Sequence, residues 1–145
     1  MSLKVELKPG ERLIIGNCVI TNSDQRTRLT IDGKLPILRE KDILTPAKAN
    51  TPAKLIYLAV QLMYLEGSFQ AARTEYFSLV NAMAMAMPKC ISLLDEINNE
   101  ILTNNLYKAL KVSKKLIQFE REQSENAEPG GTSLPAGWSP DGGTA

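Results

Sequence analysis

Histidine is absent from this 145-residue sequence, and cysteine occurs only twice. Because histidine is the commonest general base and the commonest metal ligand, its absence argues against most hydrolytic chemistries. The two cysteines, Cys18 and Cys90, are far apart in the sequence, so neither a CxxC redox motif nor a zinc site can be built from them. No pair of carboxylates indicates general acid–base catalysis. We therefore predict that the protein is not an enzyme and that it has no cofactor and no metal site.

A strong overall charge and a long hydrophobic run are also lacking. Seventeen Lys and Arg residues stand against sixteen Asp and Glu residues, so the net charge of +1 gives no global field that would draw the protein to a polyanion. The most apolar stretch, residues 55–65, is interrupted by Gln61 and is shorter than the roughly 20 residues that a membrane span needs. With no signal-peptide pattern at its start, the sequence predicts a cytoplasmic protein without a membrane partner.

The charge that is present is unevenly distributed. Residues 1–50 contain nine basic and six acidic side chains, whereas the tail from residue 124 contains three acidic side chains and no basic one. The positive excess therefore belongs to the first third of the chain, and we expect contacts with a polyanion there.

The first third of the chain has the period-two alternation of half-buried strands. Turn signals such as Gly16-Asn17 and Asp32-Gly33 separate its apolar segments. Five strands are predicted, at residues 3–7, 12–15, 18–21, 27–31 and 36–39. They predict a small five-stranded antiparallel β domain over residues 1–45. A unit of this size is near the lower limit for an independent core, so it must lean on the rest of the chain or on another subunit.

From residue 51 onward the apolar residues recur with a helical period. Thr51 and Pro52 are typical of a helix start, and Gly67 is typical of a helix end. Four helices are predicted over residues 51–122, and together with the strands they predict an α+β fold.

The last part of the chain has a different composition. Residues 123–145 are rich in Ser, Glu, Pro and Gly and contain only Leu134 and Trp138 as large apolar residues. Such a segment cannot bury enough apolar surface to offset its ordering entropy, so we predict a disordered tail. The last helix is accordingly expected to end near Phe119.

From residue 3 to about residue 121, the chain resembles the FlbT family of flagellar-biosynthesis repressors. The similarity is carried by LKVELKPGERLIIGNCVITN (residues 3–22), PILREKDILTP (36–46), TPAKLIYLAVQLMYLEG (51–67), EINNEILTNNLYKALK (96–111) and KKLIQFE (114–120). This resemblance implies association with the 5′ leader of flagellin mRNA, reduced flagellin synthesis and faster decay of the message. It also implies a working relation with FlaF, a second small regulator that acts in the opposite sense.

Two shorter segments resemble the CsrA class of mRNA-binding regulators. They are residues 3–16, which match the pattern L-x-x-x-x-K-x-G-E-x-L-x-I-G, and residues 35–43 (LPILREKDI), which are similar to V-x-V-H-R-E-E-I. Members of that class are intertwined dimers whose first and fifth strands form a basic edge that binds RNA, so a homodimer is an open alternative here. By position, Arg39 matches the principal RNA-contacting arginine and Lys8 a basic residue before the first turn. Leu7 and Leu38 depart from the pattern, since the class has a basic residue and a histidine there.

Six residues are candidates for RNA binding. They are Arg39, Lys8, Lys4, Arg12, Arg28 and Lys41. An arginine on a strand can stack on a base or bond its edge while neighbouring cations hold phosphates. The alternative for Arg39 is an ion pair with Glu40 or Asp42, and for the others it is a solvated strand face that prevents edge aggregation.

The helical half offers further cations but no predicted aromatic surface. Lys108, Lys111, Lys114 and Lys115 recur at helical spacing near the expected end of the last helix. Their interpretation as cations that complement the helix dipole is favoured, and a second RNA-contact stripe is the alternative. Every Phe and Tyr residue lies at or after Tyr57, where the spacing predicts core packing.

Two functions from different classes fit these observations. The first is a cytoplasmic post-transcriptional repressor that binds the 5′ untranslated region of flagellin mRNA, with no DNA partner. The second is a protein-binding adaptor that acts through FlaF or flagellin. It is motivated by the low net charge and by the methionine-rich segment between Met83 and Met87, in which Met85 is expected to point away from the core.

Overall fold

The computed structural model describes residues 2–126 and has the predicted α+β fold. The five strands are β1 (Ser2–Leu7), β2 (Arg12–Ile15), β3 (Cys18–Thr21), β4 (Thr27–Asp32) and β5 (Ile37–Arg39). The four α-helices are α1 (Pro52–Glu66), α2 (Arg73–Ala86), α3 (Ile91–Leu102) and α4 (Leu106–Asn126). The number and order of these elements are as predicted. The predicted disordered tail lies, from residue 127 onward, outside the described residues.

The strands form two antiparallel sheets. β1 pairs with β4, whereas β2 lies between β3 and β5 and places Leu13 opposite Arg39. Within residues 2–126 of one chain, β1 and β5 therefore share no edge. The basic edge that the CsrA-class resemblance implies belongs to an intertwined dimer, and it stays a prediction. The turn between β2 and β3 has only two residues, and it is tight because Gly16 adopts φ of 60°, which glycine does without steric cost.

The sheets and helices pack in three layers. Val5, Leu7 and Leu13 are buried between the two sheets. On the opposite face of the three-stranded sheet, Leu38 is only 1% exposed and enters the helical core, with Ile14 packed beside it. Neighbouring residues of the short strands thus point into two different cores, as the strand period of two requires. The small β region leans on the helices, as its size predicts.

α1 contacts α2, α4 and β5. The Thr51 hydroxyl caps its start by accepting the Lys54 N–H at 3.2 Å, and Gly67, with φ of 72°, ends it. Both ends are as predicted. α1 packs against α2 and α4, and the Ala53 N–H donates to the Glu120 carboxylate of α4 at 3.0 Å.

α4 is longer than the sequence analysis predicts. It begins at Leu106 but continues to Asn126 instead of ending near Phe119. Residues 120–126 contain neither glycine nor proline, so no helix-breaking residue stands within them, and their polarity is that of a solvated helix end. In the described part of the chain, no helix is long and apolar enough to cross a membrane.

Candidate nucleic-acid interface

Residues 37–44, which comprise β5 and the turns after it, are held against α1 by hydrogen bonds. Three side chains of α1 reach this segment, and their spacing of four and three residues places them on one helix face. They are Tyr57, Gln61 and Tyr64.

Tyr64 covers the outer edge of β5. Its hydroxyl accepts the N–H of Ile37 at 3.1 Å and donates to the carbonyl of the same residue at 3.0 Å. The hydroxyl thus partners main-chain groups that an edge strand would otherwise leave open to another chain. Burial raises the pKa of Tyr64, so this hydroxyl keeps its proton and continues to donate.

Tyr57 and Gln61 hold the next turns in the same way. The Tyr57 hydroxyl donates to the Asp42 carbonyl at 2.5 Å, and burial raises the pKa of Tyr57, with the Asp42 charge as a second cause. The Gln61 amide bonds both the N–H and the carbonyl of Leu44, each at 2.9 Å. Side chains that project from residues 37–44 are therefore displayed on a fixed main chain.

Arg39, the strongest candidate, ends β5 and is partly exposed. The acidic residues that could have neutralised it have other partners. Glu40 pairs with Arg12, with 3.8 Å between Nε and Oε1, and Asp42 pairs with Lys114. Within residues 2–126, Arg39 forms no ion pair, so its guanidinium is available to a ligand.

A cleft of about 740 Å³ lies between the β region and helices α1 and α4. Four basic residues line it, Arg39 and Lys41 from the β5 side and Lys111 and Lys114 from α4. Among the described residues that line the cleft, Asp42 is the only acidic one. Most of the others are apolar or aromatic: Leu3, Ile31, Leu35, Ile37, Leu110, Tyr57, Tyr64 and Tyr107. The cleft is therefore positively charged, although the whole chain has a net charge of only +1.

The positive charge continues beyond the ion pair of Asp42 and Lys114. A second cavity, of about 510 Å³, shares with the cleft the residues Lys41, Asp42, Tyr57 and Lys114. To these it adds three basic residues, Lys54, Lys115 and Arg121. We call the basic residues of both cavities the basic band. Along α4 the band extends from Lys111 to Arg121, which is about 15 Å at 1.5 Å per residue.

The lysines of α4 lie in its first half, which overturns the favoured interpretation of them. They cannot complement the dipole at the C-terminus, because α4 continues to Asn126 and the effect is confined to the last turn. Lys111 and Lys114 line the cleft instead, and Lys115 lines the second cavity. The alternative, that they contact RNA, stays a prediction.

Lys4 and Arg28 lie away from the cleft, on the exposed face of the β1–β4 sheet. In the register of this sheet, Lys4 is opposite Thr30 and Arg28 is opposite Glu6. Glu6 also pairs with Arg26 at 3.0 Å. Acidic and basic side chains thus neighbour one another on this face.

Lys8 and Arg12 do not line the cleft either. Lys8 is exposed in the turn after β1, where its N–H donates to the Glu11 carboxylate at 2.8 Å. Arg12 begins β2, and its N–H donates to the Glu40 carboxylate at 2.5 Å in addition to the ion pair. Of the six predicted RNA-binding residues, the cleft therefore contains two.

Two aromatic residues of the cleft are missed by the sequence analysis. The prediction of core packing holds for Tyr57 and Tyr76, which are 3% and 1% exposed. Tyr64, however, is partly exposed and Tyr107 is 43% exposed, and their ring centroids lie 5.5 Å apart beside the cleft. The sequence does contain one feature that could have predicted the exposure of Tyr107. It lies four residues before Lys111, and hence on the same helix face as that lysine.

The described residues include neither a cluster of metal ligands nor a disulfide. Within residues 2–126, no group of three or more His, Cys, Asp or Glu side chains could hold a metal ion. Cys18 is exposed and Cys90 is buried, and they form no disulfide. Burial raises the pKa of the Cys90 thiol, which disfavours the reactive thiolate.

The protein has two small sheets packed on a helical half, and a positively charged cleft lies between the β region and helices α1 and α4. It is therefore an α+β protein whose candidate site is a basic surface. Comparison with known proteins gives the family. The family described as "Flagellar protein FlbT" matches residues 3–123. The chain belongs to this family, which confirms the resemblance inferred from its sequence blocks.

Curated relatives cover most of the chain. One, from Bradyrhizobium diazoefficiens and named "Probable flagellum biosynthesis repressor protein FlbT 1", is 56% identical over 133 residues, which are 89% of this chain and 91% of the relative. A Rhodopseudomonas palustris protein named a probable repressor of the same kind is 51% identical, over 84% of this chain and 97% of its own length. The Caulobacter vibrioides protein named "Flagellum biosynthesis repressor protein FlbT" is 36% identical, over 90% and 94%. No solved structure matched the chain.

Proposed function

We propose that the protein is a post-transcriptional repressor of flagellum biosynthesis that binds the 5′ untranslated region of flagellin mRNA in its cleft. Binding there lowers flagellin translation and promotes decay of the message, without catalysis by the protein, in the cytoplasm. Repression is supported by the names of the relatives, which are called flagellum biosynthesis repressors. RNA as the ligand is supported by one observation above all, the meeting of Arg39 and Lys41 with Lys111 and Lys114 around one cleft.

The basic residues of the cleft suit the different parts of an RNA strand. A guanidinium can bond a base edge or a phosphate through two parallel N–H groups, or stack on a base, and Arg39 has no competing ion pair within residues 2–126. An ammonium group is a point charge that suits phosphates, and such contacts position the strand without reading its sequence. We therefore assign recognition to Arg39 and backbone contacts to Lys41 and the lysines of α4.

A titration of the leader RNA at several salt concentrations tests this function. If about four phosphates of a single strand are contacted, the logarithm of affinity should fall with the logarithm of salt with a slope of about −3, at about −0.7 for each contact. Arg39→Ala should weaken binding about 10-fold. Arg28→Ala is the matched control, because Arg28 is an exposed arginine on the β1–β4 sheet and should not matter. Binding that does not respond to salt, or an Arg39→Ala variant equal to the wild type, would contradict the proposal.

A second candidate function, a protein adaptor that binds FlaF or flagellin, is favoured by exposed apolar side chains on the helices. Met85 is 84% exposed while Met83 is 2% exposed, as their spacing predicts, and Leu102 is 79% exposed. Protein-binding surfaces are marked by contiguous apolar patches, so each of these two side chains is tested separately as part of such a surface. Co-purification of FlaF or flagellin from an RNase-treated lysate, abolished in Met85→Ser or Leu102→Ser but retained in Arg39→Ala, would support the adaptor. Retention in all three variants would count against this surface.

A further inference from the structure

Tyr107 differs from the other three tyrosines of the chain. Each of those uses its hydroxyl in the fold: Tyr57 bonds Asp42, Tyr64 bonds Ile37 and Tyr76 bonds Asn98. Within residues 2–126, the hydroxyl of Tyr107 forms no hydrogen bond, and the side chain is 43% exposed. The packing of the fold therefore leaves much of this ring uncovered.

The ring of Tyr107 lies among the cations of the cleft. The Lys111 ammonium is 5.1 Å from its centroid, and the Tyr64 ring is 5.5 Å away at an interplanar angle of 44°. Arg39 and Lys41 line the same cleft. A contact between an ammonium and an exposed ring is weak, so a flat ligand can replace Lys111 over the Tyr107 ring.

The walls of the cleft are more apolar than a phosphate site requires. Leu3, Ile31, Leu35 and Leu110 line it together with the tyrosines. Phosphates need only cations and N–H groups, whereas an apolar wall beside an aromatic ring suits a heterocycle with apolar faces and a polar edge. The volume of about 740 Å³ falls in the range of roughly 300–1,000 Å³ that is usual for sites binding molecules of that size.

We infer that the cleft accepts an unpaired nucleobase, which stacks on Tyr107 while Lys111 and Lys41 hold the adjoining phosphates. This inference rests on the proposed function and deepens it, because it names single-stranded RNA as the form that the protein selects. A base inside a duplex has both faces covered by its neighbours and cannot reach Tyr107. The charged residues give affinity for any RNA, and the tyrosine gives the preference for an unpaired segment.

The test compares a short single-stranded segment of the leader with the same segment paired to its complement, at one salt concentration. The wild-type protein should bind the single strand about 10-fold or more tightly than the duplex. Tyr107→Leu keeps an apolar side chain but removes the stacking surface, so its affinity for the single strand should fall about 10-fold with duplex binding unchanged. Tyr107→Phe keeps the ring and should bind as the wild type does.

Phe77 provides a matched control outside the cleft. It is also 43% exposed, and a cation lies beside its ring, since the Arg73 guanidinium is 5.5 Å from its centroid. The Lys111 ammonium is 5.1 Å from the Tyr107 centroid. Phe77→Leu therefore replaces an equally exposed aromatic ring by leucine on another surface and should leave both affinities unchanged. A fluorescent adenine analogue in the single strand reports stacking directly, because its emission should be quenched by the wild type and by Tyr107→Phe.

Two results would overturn the assignment of stacking to Tyr107 without overturning the proposed function. One is equal loss of single-strand and duplex affinity in Tyr107→Leu, or no loss at all. The other is the absence of quenching with the wild-type protein, which does not depend on how the leucine variant folds. In both cases salt-dependent binding weakened by Arg39→Ala would leave the proposed function in place. If the wild type shows no salt-dependent binding to either RNA, the proposed function itself fails.

Discussion

The exposed face of the β1–β4 sheet and the cleft beside α4 both contain basic residues, but they differ in the charges placed next to them. On the sheet face, Lys4 and Arg28 share the surface with Glu6 and Asp32. In the cleft, four basic residues face Asp42 as the only acidic one among the described lining residues. Electrostatic potential depends on the local sum of charges, so basic residues counted along the sequence do not locate a binding site.

The two regions also differ in how firmly their side chains are held. The segment that carries Arg39 is bonded to α1 at three main-chain positions, those of Ile37, Asp42 and Leu44. Lys8, in contrast, belongs to an exposed turn. A preorganised site loses less conformational entropy on binding. We therefore expect binding energy to be concentrated in the cleft.

The largest expected effect comes from removing the anchor of β5. Leu38→Ala should lower the free energy of unfolding by about 2–5 kcal/mol, because Leu38 is 1% exposed and joins β5 to the helical core. Leu35→Ala, at a residue that is 64% exposed, should change it by no more than about 0.5 kcal/mol. Urea denaturation followed by circular dichroism measures both. Equal effects would show that the wall of the cleft is not built on the helical core.

Reversal of charge should separate the two basic regions. The double variant Lys41→Glu and Lys111→Glu places carboxylates among the phosphates of a bound strand and should weaken leader RNA binding about 100-fold. The double variant Lys4→Glu and Lys8→Glu makes the same change in total charge, but screening by salt should limit its effect to about 3-fold. Filter binding at fixed ionic strength measures both. The opposite order would assign RNA binding to the strand region.

Removal of Asp42, which alone is acidic among the described residues that line the cleft, should have a smaller and opposite effect. Asp42→Asn releases Lys114 from its ion pair and should tighten RNA binding about 3-fold, with stability changed by less than about 1 kcal/mol. The Tyr57 hydroxyl bonds the main-chain carbonyl of Asp42 and is retained. Glu6→Gln, which releases Arg26 from an ion pair on the other surface, is the matched control and should not change affinity. If only Glu6→Gln tightened RNA binding, the RNA would contact the β1–β4 sheet and not the cleft.

Features of the fold that depend on neighbouring residues could be predicted from the sequence. The tight turn at Gly16 and the helix ends at Thr51 and Gly67 follow from local backbone preferences and local hydrogen bonds. The pairing of the strands could not be predicted, because alternation shows which residues are buried but not which strand is the neighbour. Leu13 and Leu38 both appear as buried strand residues, yet they point into different cores.

The candidate site was predictable only in part. Arg39 and Lys41 are suggested by a resemblance within one short segment, whereas the contribution of α4 arises from tertiary packing. Lys114 and Asp42, which meet at the cleft, are 72 residues apart in the sequence. The early end predicted for the last helix also placed its lysines near a C-terminus that is not there. Tyr107 was assigned to the core because helical spacing alone does not show which side of a helix stays uncovered.

Cross-linking of the leader RNA to the protein, followed by mass spectrometry of the linked peptides, tests the central claim most directly. The proposal predicts cross-links in residues 37–42 and in the first half of α4, with Tyr107 and Lys111 among the linked residues. Cross-links confined to β1 (Ser2–Leu7) and β4 (Thr27–Asp32), with none in α4, would contradict it.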